Sequence, residues 1–177
     1  EIILSSGTIN SPKILQLSGV GDNKILESKG IKTIFNNKKV GQNLRDHLQT
    51  KLTYEVNSKN NLNYLKKNFW PKIKELSKFY FKNSGMLKEG AIRAGAFSGE
   101  AHNEEKYNFQ INLLVGSGQD VDEVDKFNGI SISVNTLNPQ STGFINIKSN
   151  NPKEDPLIYP NYFSAYEDLN KHLKHLL

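Results

Sequence analysis

The chain has 177 residues, enough for one domain with a substantial core or for parts of two. It contains no cysteine, which excludes disulfides and thiolate metal sites, and it lacks an apolar run near the roughly 20 residues that a membrane-spanning helix needs. Its formal net charge of +5 comes from many lysines and from two arginines, Arg45 and Arg93. We interpret the lysines as scattered, solvated surface residues and predict no nucleic-acid partner, since arginines for reading bases are nearly lacking.

The first part of the chain predicts a strand, a glycine turn and a helix. Residues 1–6 are mostly apolar or small and are expected to form a buried strand. Gly7 would turn the chain, Asn10 or Ser11 would cap the helix, and the proline that follows suits a first helical turn. The residues SGVG at 18–21 would end that helix. A strand that delivers a glycine and a helix N-terminus to one point commonly holds a phosphate or a dinucleotide.

A short helix is predicted over residues 22–30, capped by Asp22 or Asn23. Residues 31–35 would form a brief strand, and a turn would follow. The next segment contains an adjacent Asp-His pair at 46–47, but no nucleophile accompanies it. The pair by itself is therefore weak evidence for catalysis.

Residues 50–56 alternate between polar and apolar types, which predicts a strand with one wet face. Residues 64–82 have helical spacing, with Pro71 marking a break or a new helix start. Their lysines and aromatics are also typical of a helix that binds a membrane surface or a nucleic acid. We favour a structural interpretation, in which the aromatics pack on the sheet and the lysines face water.

Alternation predicts further strands at 93–99, 108–115, 130–137 and 143–148, the last two as a hairpin-like pair. A helix is expected over 168–177. His172 and His175, three residues apart on it, could bind a metal, but we favour their interpretation as surface residues. The loop at 116–128 carries four carboxylates at 120, 122, 123 and 125. It lacks the glycine and the terminal glutamate of a calcium loop, so we predict no metal site.

Three segments of the chain resemble the glucose–methanol–choline (GMC) family of flavin-dependent alcohol oxidoreductases. They are SSGTINSPKILQLSGVG at 5–21, VGQNLRDHL at 40–48 and NPQSTGFINIKSNNPKEDPLIYPNYFS at 138–164. The resemblance implies an α/β FAD-binding part plus an α+β substrate domain with an antiparallel sheet. It further implies that 1–49 is part of the FAD-binding domain, that 50–150 is the substrate-binding domain, and that 151–177 returns toward the FAD-binding domain.

The resemblance also implies FAD as cofactor, with the matching residues beside it. These cofactor-binding candidates are Ser6, Gly7, Asn10, Ser11 and Asn43. Ser, Thr and Asn at such places are equally good helix caps. Asp46 and His47 would order the junction between domains rather than transfer protons. The catalytic histidine of the family is expected beyond the C-terminus of this chain, so we predict no catalytic residue here.

Arg93 is the most informative departure from the family pattern. The residues Ala94-Gly95-Ala96-Phe97 fit the family, but the acidic position just before them is Arg93 here. In choline-oxidising members that acid helps to hold a quaternary ammonium, and a guanidinium would repel it. Arg93 is therefore a substrate-pocket candidate that argues against choline. In the alternatives, Arg93 points elsewhere or Glu89 fills the acidic role.

Three functions are weighed. The first is an internal fragment of an FAD-dependent enzyme that acts on CH–OH groups of an alcohol, with hydride transfer to the flavin; the isolated fragment would be inactive. The second is a non-catalytic binding or lid module of the same fold, and the third is a basic nucleic-acid-binding protein. The dinucleotide fingerprint GxGxxG is absent from these residues, as the first interpretation expects. We expect a small-molecule alcohol as partner and a cytoplasmic location, and we leave the electron acceptor unassigned.

Overall fold

The computed structural model describes residues 2–99, 107–119 and 123–176 of the chain. The elements in chain order are α1 (Gly7–Leu17), β1 (Val20–Gly21), α2 (Asn23–Ser28), β2 (Phe35–Asn36), β3 (Gln42–Leu44), β4 (Gln49–Glu55), α3 (Leu62–Lys67), α4 (Phe69–Lys82), α5 (Met86–Glu89), β5 (Ile92–Gly99), β6 (Tyr107–Leu114), β7 (Gly129–Thr136), β8 (Gly143–Asn146), β9 (Leu157–Tyr159) and α6 (Tyr166–Leu176). They form two compact units. Unit 1 comprises Glu1–Asp46 and Pro139–Lys174, and unit 2 comprises His47–Asn138 and His175–Leu177.

Unit 1 mixes parallel and antiparallel pairing. Strands β1 and β2 pair in parallel and are joined through α2, whose N-cap Asp22 accepts a hydrogen bond from the Lys24 N–H at 2.9 Å, as predicted. Strands β3, β8 and β9 form an antiparallel sheet in that order. Phe144 and Tyr159 stack across β8 and β9 with ring centroids 5.3 Å apart.

Gln16, near the end of α1, links that helix to β8. It is only 2% exposed. Its Nε2 donates to the Ile145 carbonyl at 2.9 Å, and its Oε1 accepts from the Ile147 N–H at 2.8 Å. The side-chain amide thus bonds two backbone groups spaced as a neighbouring strand would bond them. A polar side chain therefore takes a strand's place in the core of unit 1, beside Leu26, Ile145 and Ile147.

Unit 2 contains a four-stranded antiparallel sheet in the order β4-β7-β6-β5. The strands predicted at 50–56, 93–99, 108–115 and 130–137 are therefore confirmed to within one or two residues. Phe109 and Val134 are buried in the sheet, and Leu65 and Met86 are buried on the helical side.

The predicted break in the long helical segment is also confirmed. Helix α3 ends at Lys67, Asn68 is extended, and α4 begins at Phe69. Pro71 lies in the first turn of α4, where a missing N–H leaves no intrahelical bond unmade.

Two predictions for the start of the chain are wrong. Residues 2–6 form no strand, and Ile2 and Ile3 are 95% and 84% exposed, because no described strand lies beside them to complete a ladder. Helix α1 begins already at Gly7, so Pro12 lies inside it rather than in its first turn. Gly7 has a φ of 78°, however, and the helix ends before Gly19 at a φ of 83°, as the glycine signals predicted.

The predicted hairpin of 130–137 with 143–148 is wrong as well. Strand β8 pairs with β3 and β9 in unit 1, whereas β7 pairs with β4 and β6 in unit 2. The chain between them contains Pro139, which has no N–H to donate, and hydrogen bonds to α6 hold the two residues that follow. The segment between β7 and β8 is therefore bonded to α6 and does not form a tight hairpin turn.

The aromatics of α4 do not pack on the sheet, contrary to the prediction. None of the residues of α4 is buried, and Trp70 and Phe81 are among the most exposed large side chains described. Helical periodicity identifies an apolar face but not what the face contacts.

The predictions about metal sites and membrane-spanning helices can be compared with the structure only in the described part of the chain. Of the four carboxylates in the acidic loop, Asp120 and Asp122 lie outside the described residues, as does His102. Within the described ranges, no group of three His, Cys, Asp or Glu side chains could hold a metal ion. No helix in the same ranges combines the length and the apolarity needed to cross a bilayer.

Candidate functional site

The predicted cofactor residues of the first segment lie together at the start of α1. Ser6 is the N-cap position, and its backbone N–H bonds to Ser11 Oγ at 3.0 Å. Ser6 and Asn10 are exposed. A Cβ built on Gly7 would meet no atom within 4 Å. The backbone here is therefore open to close approach by a flat or charged group, with the positive end of an eleven-residue helix behind it.

Asn43 lies on a different element. It is an exposed residue of β3 with a φ of 60°, at the register shift where β3 meets β8. Such a left-handed conformation is uncommon outside glycine, and Asn tolerates it best. The preceding Gly41 is needed sterically, because a Cβ there would overlap the Ile145 carbonyl oxygen. Asn43 is therefore presented outward by a tightly specified turn.

The two parts of this candidate cofactor site are separated within unit 1. Gln16 of α1 lies beside Gly41, since a Cβ built on Gly41 would overlap the Gln16 side-chain nitrogen. Gly7 is nine residues before Gln16, or about 13 Å along a helix rising 1.5 Å per residue. The start of α1 and the turn of β3 would therefore contact different parts of an elongated ligand.

Asp46 has a partner that the sequence did not reveal. Its carboxylate accepts a hydrogen bond from the Tyr162 hydroxyl at 2.5 Å. That bond, together with partial burial and the negative charge of Asp46, raises the pKa of Tyr162. Asp46 thus fastens the segment after β3 to the turn before α6, which is an ordering role within unit 1.

Asp168 is a buried carboxylate that sequence reasoning missed. In the first turn of α6, it accepts hydrogen bonds from the Gln140 N–H at 2.9 Å, the Ser141 N–H at 2.7 Å and the Ser141 hydroxyl at 2.5 Å. Burial alone would raise the pKa of Asp168, but these hydrogen bonds outweigh it and lower the pKa below its ordinary value. Ser141 Oγ in turn accepts from the Ala165 N–H at 3.1 Å. The cluster caps α6 with a side chain from a distant loop.

Arg93 lies at the register shift at the start of β5, on the edge of the sheet of unit 2. Its guanidinium is ion-paired with Glu89, and its Nη2 donates to the Met86 carbonyl at 3.0 Å. The side chain is 18% exposed, and that of Glu89 is 66% exposed. The guanidinium therefore connects α5 to β5, and the Glu89 carboxylate partly neutralises its positive charge.

Unit 2 also contains an open cavity of about 590 Å³ between its sheet and its helices. Arg93 is not among the residues that line it. The lining is mostly apolar, with Leu62, Leu65 and Leu114 prominent. The charged side chains that line it are Lys51, Lys66, Lys72 and Glu75.

Asn63 anchors the loop beside this cavity. Its amide nitrogen donates to the Ser117 carbonyl at 3.0 Å and the Phe127 carbonyl at 3.1 Å, and its Oδ1 accepts from the Ser117 N–H at 2.9 Å. The residue is fully buried. One side chain thus replaces the regular backbone pairing that a loop lacks.

The residues missed by sequence reasoning share one property. Gln16, Asn63, Asp168 and Tyr162 each act through a partner far along the chain, up to 131 residues away for Gln16. The local signal was weak but present for Gln16, which is a polar residue within the apolar stretch of α1.

The chain matches known proteins in both sequence and fold. A family model described as GMC oxidoreductase matches residues 1–49. An alcohol dehydrogenase [acceptor] of Pseudomonas putida is 34% identical over 96% of this chain and 31% of its own length. An oxygen-dependent choline dehydrogenase of Citrobacter koseri is 32% identical over 95% of this chain and 30% of its own length. The chain therefore spans about a third of the length of these relatives.

Solved structures share the fold at lower identity. A formate oxidase variant from Aspergillus oryzae RIB40 superposes with a TM-score of 0.87 at 22% identity, over 99% of this chain and 35% of that protein. A pyridoxine 4-oxidase from Mesorbium loti superposes with a TM-score of 0.77 at 18% identity, over 99% and 31%. Residues 1–49 therefore match the GMC oxidoreductase family model, and nearly the whole chain is similar in sequence to an alcohol and a choline dehydrogenase.

Proposed function

We propose that this chain is the middle part of an FAD-dependent enzyme that oxidises the CH–OH group of an alcohol. The observation that carries the proposal is the match along 96% of the chain to an alcohol dehydrogenase [acceptor]. When bound, the flavin of such an enzyme accepts the hydride from the carbon that bears the hydroxyl. This chain would supply contacts to the cofactor and part of the substrate enclosure.

The residues at the start of α1 fit a cofactor contact. Gly7 leaves its backbone uncovered, and Ser6 and Asn10 present exposed polar groups beside it. Asn43 adds an outward amide from β3. We assign these residues, with Ser11, to holding and orienting the cofactor, while the pyrophosphate requires a glycine-rich cradle that these residues do not contain.

The substrate class follows from Arg93 in this proposal. A positive guanidinium disfavours a quaternary ammonium, and Glu89 offsets part of that charge. We therefore propose an uncharged or anionic alcohol rather than choline. The assignment of unit 1 to the cofactor domain and of unit 2 to the substrate domain belongs to the same proposal.

The test is a measurement on the complete enzyme that contains this chain. The purified protein should carry flavin, and an alcohol should bleach the flavin absorbance without oxygen present. Reoxidation by an artificial acceptor or by oxygen would then assign the electron acceptor. A flavin-free protein, or a flavin that no alcohol reduces, would instead favour a binding or lid module of the same fold.

A further inference from the structure

Helix α4 presents an apolar face to solvent. The face consists of Phe69, Trp70, Ile73, Tyr80 and Phe81, which we call the aromatic face. At 100° per residue these side chains fall within about a third of the helix circumference. They are between 43% and 87% exposed. A contiguous exposed face of this kind indicates a surface that binds something apolar.

The positive charge of the chain is concentrated at the same place. Residues 62–82 hold six lysines and one glutamate, a net +5 that equals the formal net charge of all 177 residues. The remaining lysines are scattered along the chain, as predicted, and acidic residues balance them, so the excess positive charge lies in residues 62–82. The six lysines of that segment are Lys66, Lys67, Lys72, Lys74, Lys78 and Lys82.

Two of the lysines flank the aromatic face, and the single acid is turned away from it. Lys72 and Lys74 lie on either side of the face in helical projection, and both are exposed. Glu75 is on the inner side, ion-paired with Lys78 and accepting the Met86 N–H at 3.0 Å. The outward surface thus combines aromatic rings with positive charge and presents no carboxylate from α4.

A small cavity adjoins the aromatic face. Its volume is about 380 Å³, and Trp70 lines it together with three lysines and one acid, which are Lys59, Lys74, Lys78 and Glu75. Because Glu75 is ion-paired with Lys78, the cleft keeps the charge of Lys59 and Lys74, and this net positive charge suits an anionic head group. The adjacent rings suit the acyl boundary beneath it.

We propose that α4 is an interfacial helix that seats unit 2 on a membrane surface containing anionic phospholipid. Its 14 residues span only about 21 Å, too short to cross a hydrocarbon core of about 30 Å, so the helix lies in the plane of the interface. Tryptophan and tyrosine favour that depth, and flanking lysines can extend their ammonium groups to the lipid phosphates. A nucleic acid is less suited, because the face includes an isoleucine and no arginine lies in residues 62–82.

The chain contains its own probe for this surface, since Trp70 is its single tryptophan. Phosphatidylcholine vesicles with and without phosphatidylglycerol should be added to the 177-residue chain. We expect co-sedimentation and a blue shift of Trp70 emission with the anionic vesicles, both weakened by salt. Brominated lipids should quench Trp70. No sedimentation with anionic vesicles, or sedimentation without quenching, overturns the proposal.

Matched variants separate the contribution of the lysines from that of the aromatic rings. Substituting Lys72, Lys74 and Lys82 by Gln should lower the partition coefficient about a hundredfold, at about fivefold for each lysine removed near an anionic surface. Substituting Lys24, Lys32 and Lys153 by Gln removes the same charge from exposed positions in unit 1 and should change it little. Phe81→Ala should weaken binding, whereas Phe35→Ala, at an exposed ring of unit 1, should not. Circular dichroism checks the fold of each variant.

The other occupants of the face give different results. A vesicle-free blue shift that grows with protein concentration indicates a second copy of the chain, and salt-sensitive retention on DNA without vesicle binding indicates a nucleic acid. If the chain sediments with anionic vesicles but the complete enzyme does not, another part of the enzyme covers the face. Each of these outcomes overturns the proposal, and none of them bears on alcohol oxidation.

Discussion

At the scale of single residues, Gln16 illustrates how a buried amide can stand in for a strand. We expect Gln16→Leu to lower the free energy of unfolding of unit 1 by about 3 kcal/mol. The Ile145 carbonyl and the Ile147 N–H would both lose their partner in a buried place. Urea unfolding followed by circular dichroism measures the change. Lys13→Leu, in the same helix, is the control; an equal loss there would show that Gln16 has no special role.

Asp168 makes the stability of unit 1 depend on pH. Because its folded pKa is lowered, its stabilisation is present above the ordinary carboxyl value of 3.8 and is lost as pH falls through the folded pKa. Asp168→Asn should therefore cost about 1–3 kcal/mol near neutral pH, where the wild-type carboxylate accepts three hydrogen bonds. The difference between the two proteins should shrink in acid. A difference independent of pH would contradict this assignment.

Arg93 and Glu89 should act in opposite directions on substrate choice in the complete enzyme. Removing the positive charge with Arg93→Gln should raise activity on choline relative to a neutral primary alcohol, and Glu89→Gln should lower it by exposing the guanidinium charge. A bare charge pair at 4 Å would cost about 4 kcal/mol at an effective dielectric of 20, and the Glu89 carboxylate reduces this, so we expect about a tenfold change in each ratio.

The ratios are obtained from kcat/KM on both substrates. Lys88→Gln removes an exposed charge from the same short helix and serves as the control. If Arg93→Gln leaves the ratio unchanged while destabilising unit 2, the residue only holds α5 to β5.

At the scale of elements, the buried Asn63 side chain helps to order the loop after β6. Asn63→Asp keeps the size of the side chain but removes the N–H groups that bond the Ser117 and Phe127 carbonyls. We expect faster amide hydrogen exchange across the described parts of 115–129, with little change in β4. Asn60→Asp, at an exposed position of the preceding loop, is the matched control. Unchanged exchange in Asn63→Asp would show that other contacts order the loop.

Local signals predicted most element boundaries, but not their neighbours. Gly19 and Gly30 ended helices, Asp22 capped one, and period-two alternation located the four strands of unit 2. Strand β9 has only three residues and was missed. The pairing of β8 depends on β3, a hundred residues earlier, and no pattern within either strand states that partner.

At the scale of the whole molecule, the candidate site was predicted only through likeness to a family. Ser6, Gly7 and Asn43 are ordinary turn and cap residues, and their cofactor role stays a prediction. The aromatic face of α4 was predicted from helical periodicity alone. Only the structure showed that nothing in the described part of unit 2 covers it. The local excess of positive charge in residues 62–82 could have been counted from the sequence at once.

The isolated chain should bind FAD weakly and should not turn over alcohol. It lacks the glycine-rich turn that supplies N–H groups to the pyrophosphate, so most of the hydrogen bonds to the cofactor have no donor. Titration with FAD, followed by flavin fluorescence and by gel filtration, measures the binding. A yellow protein that retains flavin through gel filtration would contradict the prediction.

The register of β4 and β7 has a consequence for the order of folding. Gln49 lies opposite Asn135, and the Thr136 N–H donates to the Leu48 carbonyl at 3.2 Å, so the two ends of the 92-residue stretch His47–Asn138 meet. Closing a flexible loop of that length carries a length-dependent entropy cost of about 4 kcal/mol. If the β4–β7 ladder forms first, that cost is already met within unit 2. The two chain segments of unit 1 are then already close to each other when they begin to pair. The slow step in folding unit 1 becomes the pairing of β3 with β8.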